Sequence, residues 1–338
     1  MKLVTFRTSF SHESIGIYRE DLHGVIDLTK ALEIYSLAVE ELPAIPTNML
    51  ELLSFEGITL ELLNDVEQFL ESRDLIPDIL QIQYELLAPI PRPGAIYALG
   101  RNYPAHARES GHEPPKEPIV FSKAPTAVIG PGHPVSYKEF LTRVDPEAEL
   151  AVIIGYCGSD IPVEEAMSYV AGYTCLNDVT ARDLQYTDLA NSHPWLRSKG
   201  IDTFCPMGPY IVTPDELPDP LHVDVELKVN GETRQKDNTR SMTFDIPFLI
   251  SWISQYHHLY PGDVITTGTP EGMQPVEIGD TMEVIVEGVG TLRNQVMSEE
   301  DYIEEFGDFS NIDIFGDLDD FDDLDDLDDD DDDDIRLV

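Results

Sequence analysis

Apolar residues along this chain follow two rhythms that predict different elements. β-Branched and polar residues alternate in KLVTF (2–6) and GIYRE (16–20), and the apolar run HGVIDLTKAL follows; this predicts a few short N-terminal strands. Leucines at helical spacing predict helices around residues 48–71. Beyond residue 100 strand signals dominate, in AELAVIIG (148–155), GPYIVT (208–213), DVELKVNGETRQ (224–235), DVITTG (263–268) and TMEVIVEGVGTLRNQV (281–296). The Asn-Gly step inside KVNGET is the favoured two-residue hairpin turn. VEEAMSYVAGY (163–173) and FDIPFLISWISQYHH (244–258) predict helices, the second ending at Pro-Gly-Asp. Strands outnumber helices and are joined by hairpins as well as by helices, so the expected class is α+β rather than a doubly wound sheet.

LLAPIPRPGAIYALG (86–100) is punctuated by prolines and reads as a connection between two units: a small α+β domain over 1–85 and a larger one over 86–298. Residues 299–338 stand apart. They hold 21 acidic residues and one arginine, nearly half of the formal net charge of −44. Such a run repels itself and has little apolar area to bury, so a disordered acidic tail is expected there. Phe315, Leu318, Phe321, Leu324 and Leu327 recur within it every third residue, a pattern compatible with a solubilising tail or with a weak partner-binding motif. The rest of the chain is also acidic, which argues against nucleic acid or an anionic membrane as partner. No apolar run approaches the ~20 residues needed to span a bilayer. Cys157, Cys175 and Cys205 have no metal-type spacing and fit a reducing compartment, so a cytoplasmic protein is expected.

Two clusters carry candidate chemistry. Glu147 and Glu149 lie two apart at the start of AELAVIIG, so on a strand both side chains project to one face. Asp178 closes another apolar stretch, YTCLND. Carboxylates held by buried strands need a positive partner, and a hard divalent cation (Mg²⁺, or Mn²⁺ or Ca²⁺) suits oxygen ligands. On spacing alone, an exposed Glu147 and an Asp178 that caps a turn fit equally. His106 and Glu109, three apart in YPAHARES, share one face of a helical turn, where a carboxylate would fix the imidazole tautomer and raise its basicity. An ordinary surface pair has the same spacing.

GRNYPAHARE, DPEAELAVIIG, LNDVTARDLQ, LRSKGIDTFCPMGPYIV, LKVNGETRQ and PGDVITTGTPEGM follow one another in an order that resembles the fumarylacetoacetate hydrolase family, in its bacterial-type branch with a small N-terminal domain. The resemblance covers residues 86–298. It implies a mixed β-sandwich roll, a homodimer, and Glu147, Glu149 and Asp178 as ligands of Mg²⁺. It further implies His106 and Glu109 as the base that activates water, with SGHEPPKEP as a lid, and Lys199 as the cation facing the departing enolate. Arg182, Gln185 and Thr269 become substrate contacts. The chain departs from the family pattern at Gly200, where serine is frequent. The implied activity is hydrolytic C–C cleavage of an acylpyruvate, a small 2-oxo acid. Isomerisation of a 2-hydroxy-dienedioate and decarboxylation of oxaloacetate would use the same site, and a non-catalytic member that recruits a partner through its tail is the alternative of another kind.

Overall fold

The alternation seen in the sequence produces two sheets in the computed structural model, which describes residues 1–9, 11–55 and 57–307. The larger sheet runs in the order Leu80–Gln81, Gly24–Asp27, Ser11–Arg19, Lys2–Thr8, Cys205–Val212, Val170–Asn177, Ala148–Ile154, Val264–Thr266, Ile96–Gly100, Ile119–Ser122. The smaller has five strands: Glu232–Asn238, Asp224–Val229, Thr281–Val286, Gly290–Ser298 and Val135–Tyr137. Both mix antiparallel and parallel pairs, the α+β arrangement expected. Lys2–Thr8 pairs with Cys205–Val212, so the N-terminal segment shares the large sheet with the rest of the chain.

The strand Ala148–Ile154 sits at the centre and is buried on both faces. Leu150, Val152 and Ile154 enter the core that includes Val225, Val284 and Leu292 of the smaller sheet. Ala151 and Ile153 enter a second core, formed with the N-terminal helices Leu28–Ala38 and Leu60–Ser72. A strand covered on both sides cannot slip by a residue without exchanging every side chain between the two cores, so the register is firmly set. That register positions the acidic residues described below. Asn230 and Gly231 both take positive φ, 53° and 80°, as the tight hairpin turn requires.

Two expectations need correction. VEEAMSYVAGY does not form a helix: only Ala166–Tyr169 makes a 3-10 turn, and Val170–Asn177 is a central strand between Ala148–Ile154 and Cys205–Val212. Two long pairing partners outweigh the local helical pattern there. The tail also begins later than residue 299. Glu299–Phe306 is a helix capped by Ser298, whose Oγ accepts from the Asp301 amide, and Tyr302 is buried with its ring 5.7 Å from that of His133. The remainder of the expected tail, 308–338, lies outside the described residues.

Candidate active site

Pairing of the strands Ala148–Ile154 and Val170–Asn177 brings three carboxylates together. Ala148 faces Asn177 in the ladder, so Glu147 and Asp178 leave adjacent strand ends side by side. The Asp178 amide donates to the Glu147 carbonyl at 2.8 Å, and the Glu147 amide donates to Asn177 Oδ1 at 2.9 Å. Glu149 lies two residues further on, with its side chain on the same side. Glu147, Glu149 and Asp178 are all buried, and one oxygen from each lies within 4.8 Å of the others. An exposed Glu147 and a merely capping Asp178 are thereby set aside.

Basic side chains answer these acids unequally. Lys199 Nζ bridges Glu147 Oε2 at 2.7 Å and Asp178 Oδ2 at 2.5 Å. Lys123 Nζ holds Asp178 Oδ1 at 2.6 Å and also donates to the Lys199 carbonyl. Arg182 pairs with Glu147 Oε1 and, at 2.8 Å, with Asp145 Oδ2, while its remaining nitrogen donates to Gln185 Oε1 at 2.7 Å. Burial raises the cost of charge on Glu147, but Lys199 and then Arg182 outweigh it and hold that carboxyl well below its ordinary value. Burial likewise disfavours the Lys199 ammonium, yet Asp178 and Glu147 leave its pKa raised.

Glu149 is the exception. Its Oε2 accepts from the Gly268 amide at 2.8 Å, but its buried Oε1 has no hydrogen-bond partner. Burial first, then the neighbouring Asp178 and Glu147, push its pKa up to about 8. A buried carboxylate oxygen without a donor, beside two further carboxylates, meets the condition for a hard cation. The donor set is all oxygen, which suits Mg²⁺, Mn²⁺ or Ca²⁺ better than the nitrogen- and sulfur-seeking metals.

A cavity of about 250 Å³ opens onto this cluster. Glu147, Lys199, Arg182, Gln185, Thr269 and His106 all line it, so each predicted site residue except Glu149, Asp178 and Glu109 reaches its wall. The helix Pro104–Glu109 presents His106, buried, with Nδ1 unbonded and 3.6 Å from Glu109 Oε2, beyond hydrogen-bond reach. Glu109 instead accepts from the Gly272 and Met273 amides at 3.0–3.1 Å, which tethers the helix to the loop after Thr269. Burial would raise Glu109, but His106 and these two amides lower it.

Sequence reasoning missed four supports. Lys123 is fully buried beneath the acidic cluster. Asp145, also buried, orients Arg182 and pairs with Arg143 at 2.8 Å. Gln235 accepts from the Ala148 amide and donates to Thr269 Oγ1, each at 2.9 Å, which ties the Thr269 loop to the strand that carries Glu149. Asn102 bonds the Thr267 carbonyl at 2.8 Å and both backbone groups of Phe244. Only Gln235 had a signal, as the last residue of LKVNGETRQ.

This sheet arrangement, with three buried carboxylates at a small cavity, defines a class of enzyme-like α+β chains with a hard-cation site. Residues 95–297 match the fumarylacetoacetate (FAA) hydrolase C-terminal family, and the chain belongs to the fumarylacetoacetate hydrolase family. It is 38% identical over 305 residues to the mitochondrial oxaloacetate tautomerase FAHD2A of Bos taurus, covering 88% of this chain and 92% of that one. Maleylpyruvate hydrolase from Sphingobium sp. SYK-6, solved with manganese(II) and pyruvate, superposes with a TM-score of 0.68 at 31% identity, covering 88% of this chain and 99% of that one. The 2-hydroxyhepta-2,4-diene-1,7-dioate isomerase of Mycobacterium marinum gives a TM-score of 0.64 at 31% identity, with the same coverage. Hydrolase, isomerase and tautomerase relatives therefore share this framework. Among the described residues no helix is long and apolar enough to cross a membrane.

Proposed function

We propose that this chain is a divalent-cation-dependent enzyme acting on 2-oxo acids, and that it hydrolyses the C–C bond of an acylpyruvate-type substrate. The observation that carries the reading is the convergence of Glu147, Glu149 and Asp178 beside a cavity that also holds the buried, unbonded imidazole of His106. Mg²⁺, or Mn²⁺ or Ca²⁺, held by these three carboxylates would polarise the oxygens of the 2-oxo acid and stabilise the negative charge of its enolate.

The chain's own groups do the rest. Arg182, Gln185 and the Thr269 hydroxyl line the wall against which the substrate carboxylate settles. His106 removes a proton from water, and Glu109, anchored by two backbone amides, stabilises the imidazolium that results. The hydroxyl oxygen bonds to the acyl carbonyl carbon, the C–C bond breaks, and its electron pair passes to the enolate of pyruvate. The Lys199 ammonium faces that growing charge, and the imidazolium returns the proton.

A second reading, tautomerisation of oxaloacetate, is favoured by the bovine relative, which matches this chain over nearly its full length. There His106 would carry the proton between carbon 3 and the enol oxygen, without adding water. Turnover of acylpyruvates and of enol-oxaloacetate, each with Mg²⁺ and after exhaustive chelation, tests both. Full activity in chelator would rule out the cation site. Rapid Mg²⁺-dependent ketonisation without any acylpyruvate cleavage would replace the hydrolase reading with the second one.

A further inference from the structure

Arg101 has no use in the chemistry above. It follows the strand Ile96–Gly100 in a left-handed backbone conformation, φ 59°, which a side chain larger than asparagine rarely adopts. It lines the cavity and is half-buried there. No ion pair joins it to any carboxylate among the described residues, although the chain has 65 acidic residues against 21 basic ones. Burial alone acts on its charge, lowering its pKa with no anion to offset the cost. His112, the next basic group along this wall, is exposed and is disfavoured from protonating by burial and by Arg101 itself.

The position of Arg101 relative to the acidic cluster follows from an aromatic relay. Lys199 Nζ lies 5.1 Å from the centre of the Phe121 ring, Phe121 lies 5.2 Å from Trp195, and the Arg101 guanidinium lies 5.9 Å from Trp195. Two aromatic rings thus stand between the two cations, and Leu99 adds apolar wall. A ligand that spans this cavity meets charge at Lys199, an apolar stretch, and charge again at Arg101. The inner cluster is balanced when ionised: Asp145, Glu147, Glu149 and Asp178 face Arg143, Lys123, Lys199 and Arg182. A divalent cation adds two positive charges, which a dianion matches and a monoanion does not.

We propose that Arg101 is a specificity-determining residue that receives a second carboxylate, at the end of the substrate remote from its 2-oxo acid head, so that the chain selects dicarboxylic 2-oxo acids. This rests on the reading of the site given under Proposed function. A guanidinium suits the role because its planar donors can engage a carboxylate in bidentate fashion.

The test compares two non-cleavable five-carbon probes, 2-oxoglutarate and 2-oxopentanoate, which differ in the terminal carboxylate. Their dissociation constants are measured by calorimetry with Mg²⁺ and with EDTA, for the wild type, Arg101→Asn and Arg101→Lys. Asparagine tolerates the left-handed backbone, so that variant removes charge with little strain. The wild type should bind 2-oxoglutarate roughly 10- to 100-fold more tightly, the range of a charge-assisted pair. Arg101→Asn should bring the ratio close to one, and Arg101→Lys should keep part of it. Equal binding of both probes by the wild type, or an unchanged ratio in Arg101→Asn, overturns the role of Arg101. Binding of both probes that ignores Mg²⁺ overturns the underlying reading of the site as well, so the two failures are separable.

Discussion

Replacing Glu149 by glutamine should stabilise the cation-free protein and abolish its response to Mg²⁺. In the unfolded chain this carboxyl titrates near its ordinary value of 4.5, whereas in the fold it is pushed up to about 8. At pH 7.5 the fold therefore carries a cost that glutamine, neutral in both states, does not. Each pKa unit is worth about 1.4 kcal/mol, which sets a ceiling of ~4 kcal/mol on the gain. Glutamine retains an oxygen for the Gly268 amide, and its NH₂ has Asp178 and Glu147 close by as acceptors. For a chain of this size about 2 °C of melting temperature accompanies each kcal/mol, so the variant should melt several degrees higher in EDTA. In the wild type, 1 mM Mg²⁺ acting at a dissociation constant near ~10 µM would add about 2.7 kcal/mol, or roughly 5 °C. The variant should show almost none of that shift. Thermal unfolding of both proteins in EDTA and in Mg²⁺ gives all four values. A variant that melts below the wild type in EDTA, or that responds to Mg²⁺ as fully, would refute the reasoning.

Other consequences follow from the same geometry. His106→Ala should lower kcat for acylpyruvate cleavage by about 10²–10⁴-fold, and oxaloacetate decarboxylation far less, because only the first reaction needs activated water; equal losses in steady-state assays would remove that role. Lys123→Met leaves Asp178 Oδ1 without its 2.6 Å donor in a buried setting, so stability should fall by about 3–5 kcal/mol in denaturant titrations. The raised pKa of Glu149 also fixes a pH response. Its contribution to stability is fully present below about pH 4.5 and is lost as pH rises through about 8, so in EDTA this group should make the melting temperature decline across that window. Saturating Mg²⁺ should flatten the decline, since the bound ion replaces the proton.

The parts of this site that were legible in the sequence are those encoded by local spacing. Glu147 and Glu149 needed only the two-residue period of a strand, and His106 with Glu109 only one helical turn. Asp178 was found by its place at the end of an apolar run. Lys123 could not be found this way, because its partner lies 55 residues along the chain and only the folded sheet brings the two together. Asp145 and Gln235 act through contacts of the same long-range kind. The helix expected over VEEAMSYVAGY failed because a central strand is decided by its neighbours on both sides rather than by its own pattern. Glu299–Phe306 failed in the opposite sense: a dense acidic composition hid a capped helix with one buried tyrosine. Lys199 and Thr269 stand out only through the family motifs that surround them.

The central claim is that Glu147, Glu149 and Asp178 together hold a divalent cation. Diffraction from crystals grown with Mn²⁺ and oxalate, with anomalous data collected at the manganese edge, tests it most directly. The account predicts a single strong anomalous peak within ligand distance of all three carboxylates, with oxalate bound to it and Lys199 drawn away from at least one of its two partners. A site without such a peak, with Lys199 still bridging Glu147 and Asp178 at saturating Mn²⁺, would contradict it.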